Sequence, residues 1–178
     1  GPTATMPVQP SQRVKGDDRK AAEWVLSVGG KLALAEGVDE ITKSDLANLP
    51  KGRLNIRYIV LDNTNGDIKP FTDADFAVLA GLERLEMIVL YKLAITPSAF
   101  DTLASCPNLE EIKMQYNQMG DELWRHLAGI RSLARLYQQY DALSVQGIGI
   151  GNLNPATLTT LFLGSCPITD AGLAEMAA

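Results

Sequence analysis

The side chains of this 178-residue chain that are best suited to catalysis or metal binding are one histidine and two cysteines. A nucleophilic site needs a base within hydrogen-bonding reach of the nucleophile, on a rigid concave surface. His126 lies instead between Trp124 and Leu127, whose spacing is that of one face of a short outer helix. Cys106 and Cys166 form no CxxC pair, and a structural zinc site needs four ligands. We therefore predict that the chain is not an enzyme and that it has no catalytic residue, metal site or cofactor.

Two segments resemble ligand-binding loops without completing their patterns. Residues 61–75, LDNTNGDIKPFTDAD, are rich in Asp and Asn, but no counting frame gives both the glycine and the glutamate of a calcium-binding EF-hand loop. We interpret this segment as a turn-rich loop that is a candidate for partner contact, and its ion binding stays open. Residues 146–156, QGIGIGNLNPA, lack the helix N-terminus that binds a phosphate, and we interpret them as an irregular outer segment.

Composition argues against two classes of function. The formal net charge is -5, whereas a surface that follows a phosphate backbone is usually basic. Apolar runs are also shorter than the roughly 20 residues that cross a bilayer. We therefore predict neither nucleic-acid binding nor membrane insertion for this segment, and the sequence does not indicate a compartment.

The elements that would position any site are copies of a short tandem repeat. Four segments align at a nearly constant spacing, and they begin at Leu85, Leu109, Leu133 and Leu158. Their first and fourth places are apolar, and so is the sixth, except for Gln138 in the third segment. This pattern predicts a short strand, and the later apolar spacing of three predicts one or two helical turns. Stacked units of this kind share one core.

Two weaker copies precede these four segments. Residues 56–63 fit the strand, and residues 31–50 place Ile41, Leu46 and Leu49 at the offsets of the later units. The count gives six units, of which the first and last are partial. By the same count, the outer segments of the last two units have Ile148, Leu173 and Met176 at the apolar places of the earlier units, where the pattern predicts one buried stripe.

Residues 158–173, LTTLFLGSCPITDAGL, resemble the cysteine-containing subtype of the leucine-rich-repeat (LRR) family, whose pattern is LxxLxLxxCxxITDxGLxxL. The segment has one residue fewer between Cys166 and Ile168. SCPNL at residues 105–109 resembles the turn that precedes the next strand in this family. The likeness covers roughly residues 31–178. It implies an α/β fold, a right-handed solenoid bent into a horseshoe arc, with parallel strands on the concave face and short helices on the convex face.

The resemblance also implies roles for individual positions. Cys106 and Cys166 occupy places where the family buries cysteine. The ninth place of each unit is often an Asn that bonds to the backbone of the turn; here it holds Thr64, Leu93, Asn117, Asp141 and Cys166. Leu93 departs from this pattern, so its turn needs other hydrogen-bond partners.

These patterns divide the chain into three parts. Residues 1–16, with three prolines, are interpreted as a flexible linker or tag remnant. Residues 17–30 predict an N-terminal capping helix, begun by Asp17 or Asp18 and ended by Gly29 or Gly30; its apolar face holds Ala21, Trp24, Val25 and Val28. Residues 31–178 form the LRR domain of about six units, with the last truncated. Its C-terminal edge has no cap, so we expect either a continuing chain or self-association through this edge.

The concave face remains as the candidate site. The third, fifth and seventh residues of each strand point away from the core because strand side chains alternate. Eight of these residues combine aromatic or apolar area with charge and are the predicted partner-binding residues: Tyr58, Met87, Tyr91, Glu111, Lys113, Arg135, Tyr137 and Phe162. Aromatic residues and arginine within a polar surround are typical of interface hot spots.

We therefore interpret the chain as a non-catalytic protein–protein interaction module, with another, unidentified protein as its partner. Two alternatives stay open. The first is an accessory or recognition domain of a larger enzyme or receptor, such as a kinase or ligase. The second is a structural spacer in a surface protein, which would have no specific partner.

Overall fold

The computed structural model describes residues 14–117, 119–140 and 146–177. Within these ranges the chain forms one sheet whose six strands lie in sequence order. The strands are β1 (Lys31–Leu34), β2 (Ile56–Asp62), β3 (Met87–Tyr91), β4 (Glu111–Gln115), β5 (Arg135–Gln139) and β6 (Thr160–Gly164). The α-helices are α1 (Asp18–Ser27), α2 (Asp73–Phe76), α3 (Phe100–Leu103), α4 (Glu122–Leu127) and α5 (Asp170–Ala177). Short 3-10 helices lie at Lys43–Asn48, Ala77–Leu79, Pro97–Ala99 and Ile150–Asn152.

Strands β2 to β6 are parallel and keep the register of the repeat. Ile88 lies opposite Ile112, Ile112 opposite Leu136, and Leu136 opposite Leu161. Each of these residues is the fourth of its aligned segment, so the sheet pairs equivalent places of successive units. The predicted solenoid of stacked strand–helix units is thereby confirmed.

Strand β1 departs from the prediction of parallel strands. It pairs antiparallel with β2, and Lys31 lies opposite Val60, where β2 approaches its end. The turn after α1 therefore brings the chain to the sheet near the C-terminal ends of the parallel strands, and β1 runs back in the opposite direction. On the other side of β1, Leu32 and Ile41 exchange two backbone hydrogen bonds of 3.0 and 2.7 Å. The first of the six predicted units is thus an antiparallel edge segment rather than a parallel rung.

Helix α1 begins and ends where the sequence indicates. The Asp17 side chain accepts a hydrogen bond of 3.0 Å from the Lys20 N–H, and Gly29 follows the helix with a φ of 96°. A positive φ at that point favours glycine, which ends a helix without steric strain. The buried face is wider than predicted and includes Ala22 and Leu26.

The division of the chain into residues 1–16, 17–30 and 31–178 stays a prediction, and residues 1–13 lie outside the described residues.

The core lies between the sheet and the helices. The fourth place of each central strand contributes Ile59, Ile88, Ile112 and Leu136, all with no exposed surface. The outer segments contribute Phe76, Phe100 and Trp124, which are equally buried. Each such side chain adds roughly 1.5–3 kcal/mol to the free energy of unfolding. Gln138, the one polar residue at a sixth place in the aligned segments, also points inward and is buried.

The turns after the strands are held by side chains from neighbouring units. Buried Asn117 donates from Nδ2 to the Leu90 carbonyl and accepts from the Leu93 N–H, both at 2.8 Å. In the unit that has Leu93 at its ninth place, the asparagine of the next unit therefore supplies the hydrogen-bond partners of the turn. Asp141, the ninth-place residue of the following unit, lies outside the described residues.

Two outer segments differ from the repeat count. Ile148 is exposed, and Ile150 fills the core place instead. Gly147 and Gly149 both have φ values near 90°. These left-handed turns shift the inward-pointing position by two residues before the 3-10 helix at Ile150–Asn152. Leu173 is 54% exposed and Met176 is exposed as well. In the described part of the chain no further unit covers β6 and α5. The side chains of Leu173 and Met176 therefore have no neighbouring unit there to pack against.

The last unit is correspondingly open. Leu161 and Leu163, which occupy inward places of β6, are only half-buried, in contrast to their buried equivalents in β3 and β4. Across the described ranges, the model contains no helix whose length and apolarity would suffice to cross a membrane.

Candidate protein-binding face

Strand alternation arranges the outward side chains of β2 to β6 in three rows, which together we call the concave face. The first row is Tyr58, Met87, Glu111, Arg135 and Thr160. The second row is Val60, Val89, Lys113, Tyr137 and Phe162. The third row is Asp62, Tyr91, Gln115, Gln139 and Gly164. All eight predicted partner-binding residues therefore lie on one surface.

An ion-pair cluster occupies the middle of the first row. Arg135 Nε donates to Glu111 Oε1 at 2.8 Å, and an Arg135 terminal nitrogen lies 3.5 Å from Glu110 Oε2. The hydrogen bond to Glu111 raises the pKa of the Arg135 guanidinium above its ordinary value. With two carboxylates around it, Arg135 carries no unbalanced positive charge to offer to a partner.

Lys113 in the second row has a different environment. Its ammonium nitrogen lies 5.5 Å from the centre of the Tyr137 ring, within the range of a cation–π contact. The Tyr137 ring in turn lies 6.3 Å from the Phe162 ring, at an angle of 37°. Phe162 is 47% exposed, more than its half-buried neighbours on this face. Along the second row, buried Val89 on β3 is thus followed by the cation of Lys113 and the aromatic rings of Tyr137 and Phe162 on β4 to β6.

Tyrosines mark the N-terminal half of the face. Tyr58 and Tyr91 are half-buried. Burial raises the pKa of Tyr58, and the charge of Glu40 adds to the effect. Burial likewise raises the pKa of Tyr91, with a contribution from Asp62. Both phenols therefore stay protonated at neutral pH and can donate a hydrogen bond.

A shallow concavity of about 200 Å³ lies at the centre of the face. It is lined by Tyr91, Lys113, Met114, Gln115, Tyr137 and Gln139. The Gln115 and Gln139 side chains are opposite each other on β4 and β5. Among the described residues, the side-chain amides of these two glutamines have no hydrogen-bond partner. The concavity is too small for a drug-sized ligand, but it can receive a single side chain.

Two exposed tyrosines extend the face and were missed in the sequence. Tyr116 and Tyr140 directly follow β4 and β5, are nearly half exposed, and stack with ring centroids 4.8 Å apart and an angle of 6° between the rings. The signal was present, because both occupy the eighth place of their units. We call this pair the tyrosine rim.

The residues considered for catalysis have structural partners. His126 Nδ1 lies 2.8 Å from Asp101 Oδ1, which links α4 to α3 on the helical side of the sheet. Cys106 is buried, and its thiol donates to the Leu79 carbonyl at 3.3 Å. Burial raises the pKa of Cys106 to about 11. Cys166 is only partly buried. Within the described ranges, no base, nucleophile and orienting group come together around these three side chains.

The glycine-rich segment at residues 146–156 uses its polar groups internally. The Gln146 and Gly147 N–H groups donate to Asp121 Oδ1, each at 2.9 Å, and the Gly149 N–H donates to Glu175 Oε2 at 2.8 Å. Carboxylates of the protein itself thus occupy the amides that a phosphate would need.

In the 61–75 loop two of the acidic side chains, Asp62 and Asp73, are similarly engaged. Asp62 Oδ1 accepts from the Thr64 N–H at 2.9 Å and from its hydroxyl at 2.7 Å. Asp73 accepts from the Thr96 N–H at 3.1 Å. The described residues contain no group of three or more His, Cys, Asp or Glu side chains that could hold a metal ion.

Comparison with known proteins adds an independent observation. A family model described as Leucine Rich repeat matches residues 105–122 and 154–177. The first stretch contains β4, and the second contains β6 and α5. No curated protein matches the chain. The cysteine-containing subtype stays a prediction. The regular repeat register, the open and mostly parallel sheet, the short outer helices and this match support a leucine-rich-repeat solenoid.

Proposed function

We propose that the chain is a non-catalytic interaction module whose concave face binds another protein. Leucine-rich repeats are generally protein-interaction modules. The finer proposal concerns which surface of this chain does the binding. The candidates are the concave face with the tyrosine rim, and the helical side.

The observation that carries the proposal is the run of aromatic and cationic side chains across adjacent strands. Tyr91, Lys113, Tyr137 and Phe162 lie on consecutive rungs β3 to β6, and the first three line the central concavity. Tyrosine and phenylalanine contribute large apolar area with few rotatable bonds, so their ordering on binding costs little entropy. The helical side instead presents charged pairs such as Arg125 with Glu122 at 2.6 Å, which are mostly exposed and contribute little to binding.

Alanine substitution tests this assignment. Tyr91→Ala and Tyr137→Ala are each expected to weaken the affinity for a partner isolated by pull-down by about 1–3 kcal/mol, roughly 5- to 150-fold. Both side chains lie outside the core, so the thermal unfolding midpoint should stay within a few degrees of that of the wild type. Affinity is measured by titration calorimetry with the purified partner.

Arg125→Ala is the matched control, since it removes a large exposed side chain from α4 on the opposite side. It is expected to leave the affinity unchanged. If neither tyrosine substitution changes the affinity, the concave face is not the binding surface and the proposal is wrong.

A further inference from the structure

The central concavity contains the cationic side chain of Lys113. Of the two basic side chains in the three rows, Arg135 is neutralised by Glu110 and Glu111. Lys113 has no ion-pair partner among the described residues, and its ammonium group rests over the Tyr137 ring. The Lys113 residue is partly buried, and an ion pair at a partly buried lysine is less screened by solvent than one at a fully exposed lysine.

Uncharged hydrogen-bonding groups surround this cation. The amides of Gln115 and Gln139 are unpaired among the described residues, and they belong to adjacent strands whose backbones lie about 4.8 Å apart. Tyr91 lies on the adjacent strand β3 and lines the same concavity. An amide offers both donors and an acceptor, which suits the peptide groups of a bound segment.

The charge of the rest of the surface limits the size of the anion. The chain has a formal net charge of -5, and Asp62, Glu110 and Glu111 lie on or beside the three rows. A polyanion such as nucleic acid would meet these carboxylates and be repelled. A single carboxylate on Lys113 brings only one negative charge to the face, where Glu110 and Glu111 are already paired with Arg135.

From this arrangement we infer that the concave face binds a protein segment through one carboxylate side chain, which pairs with Lys113 between the Tyr91 and Tyr137 rings. The residues flanking that Asp or Glu are apolar or aromatic, because they contact Tyr137, Phe162 and the tyrosine rim. The backbone of the segment bonds to the Gln115 and Gln139 amides. This inference rests on the proposed function and specifies the chemistry of its partner.

The experiment uses a displayed library of random dodecapeptides, selected on the immobilised protein. The expected result is enrichment of peptides that carry a single Asp or Glu beside apolar or aromatic residues. For an enriched peptide, replacing this acid by Asn or Gln should weaken binding about tenfold, since a hydrogen-bonded charge pair is lost. In Lys113→Gln, the acid and amide forms of the peptide should bind equally well.

Lys51→Gln is the matched control, because Lys51 is exposed in a turn outside the concave face and its loss changes the net charge equally. The acid preference should persist in this variant. Circular dichroism checks that Lys113→Gln is folded, and we expect it to be, because Lys113 points away from the core.

The remaining outcomes separate this inference from the proposed function. Peptides that depend on Tyr91 and Tyr137 but show no acid preference, or keep it in Lys113→Gln, overturn the inference and leave the concave face as the binding surface. Peptides that are unaffected by Tyr91→Ala and Tyr137→Ala overturn both. A library that yields no binder overturns the inference as well.

Discussion

At the scale of single residues, the turns after the parallel strands hold ordinary side chains in the left-handed region. Lys92, Tyr116, Tyr140 and Ser165 have φ values of 53–57°. This conformation costs roughly 1–2 kcal/mol for a residue with a Cβ. The backbone hydrogen bonds of the ladder compensate it, since the Tyr116 N–H donates to the Gln139 carbonyl and the Tyr140 N–H to the Gly164 carbonyl. Tertiary contacts rather than local preference therefore place the tyrosine rim.

Also at this scale, the buried thiol of Cys106 makes the stability of the protein depend on pH above neutrality. Burial raises its pKa from 9.0 to about 11. Below pH 9 both the folded and the unfolded chain keep the proton, so this group has no effect. Between pH 9 and 11 only the unfolded chain ionises, which lowers the free energy of unfolding by about 1.4 kcal/mol per pH unit.

Urea unfolding at pH 8, 9 and 10 measures this loss, with Cys106→Ala as the comparison. The variant should be less stable at pH 8 because it leaves a small cavity, and its decline above pH 9 should be shallower than that of the wild type. Parallel declines in the two proteins would contradict the assignment of the effect to Cys106.

At the scale of elements, Asn117 joins the turns of two successive units. Asn117→Ala leaves the Leu93 N–H and the Leu90 carbonyl without their side-chain partner in a buried position. Each unsatisfied buried group costs about 1–3 kcal/mol, so we expect a loss of about 2–4 kcal/mol in the free energy of unfolding. Chemical denaturation monitored by tryptophan fluorescence measures it, and buried Trp124 provides a signal close to the affected turn.

Asn65→Ala provides the control for this substitution. Asn65 is exposed in the 61–75 loop, and among the described residues its side chain has no hydrogen-bond partner. Its replacement should change the free energy of unfolding by less than about 0.5 kcal/mol. Equal losses in the two variants would show that the asparagine bridge does not stabilise the turns.

At the scale of the whole molecule, a stack of units in which each contacts its neighbours has a gradient of local stability. Strand β4 lies between two parallel neighbours and contributes fully buried Ile112 and Met114. Strand β6 has one neighbour among the described strands, and its inward residues Leu161 and Leu163 are half-buried. The β6 end should therefore open more often than the centre.

Hydrogen–deuterium exchange tests this gradient. Peptides that cover residues 160–164 should exchange faster than peptides that cover residues 111–115, because opening the last unit exposes less apolar surface. Equal protection at low protein concentration would contradict the gradient. Protection of residues 160–164 that rises with protein concentration would support the predicted self-association through this edge.

The repeat register could be derived from the sequence because it depends on local periodicity. Leu85, Leu109, Leu133 and Leu158 define units that place equivalent residues on successive rungs, so the partners of Ile88 or Tyr137 follow from counting. The three rows of the concave face follow from the same count, since strand side chains alternate. Incomplete metal, phosphate and nucleophile patterns could also be recognised in the sequence, because those patterns need particular residue types at particular spacings.

Long-range contacts decided the remaining features. The antiparallel direction of β1 depends on where α1 and the Gly29 turn lead the chain into the sheet. The exchange of Ile148 for Ile150 depends on Asp121 and Glu175, which bind the amides of the glycine-rich segment from the neighbouring units. The ion pairs of Arg135 and the cation–π contact of Lys113 with Tyr137 form between strands. Side-chain partners of this kind are set by distances in the folded chain, which periodicity along one strand does not contain.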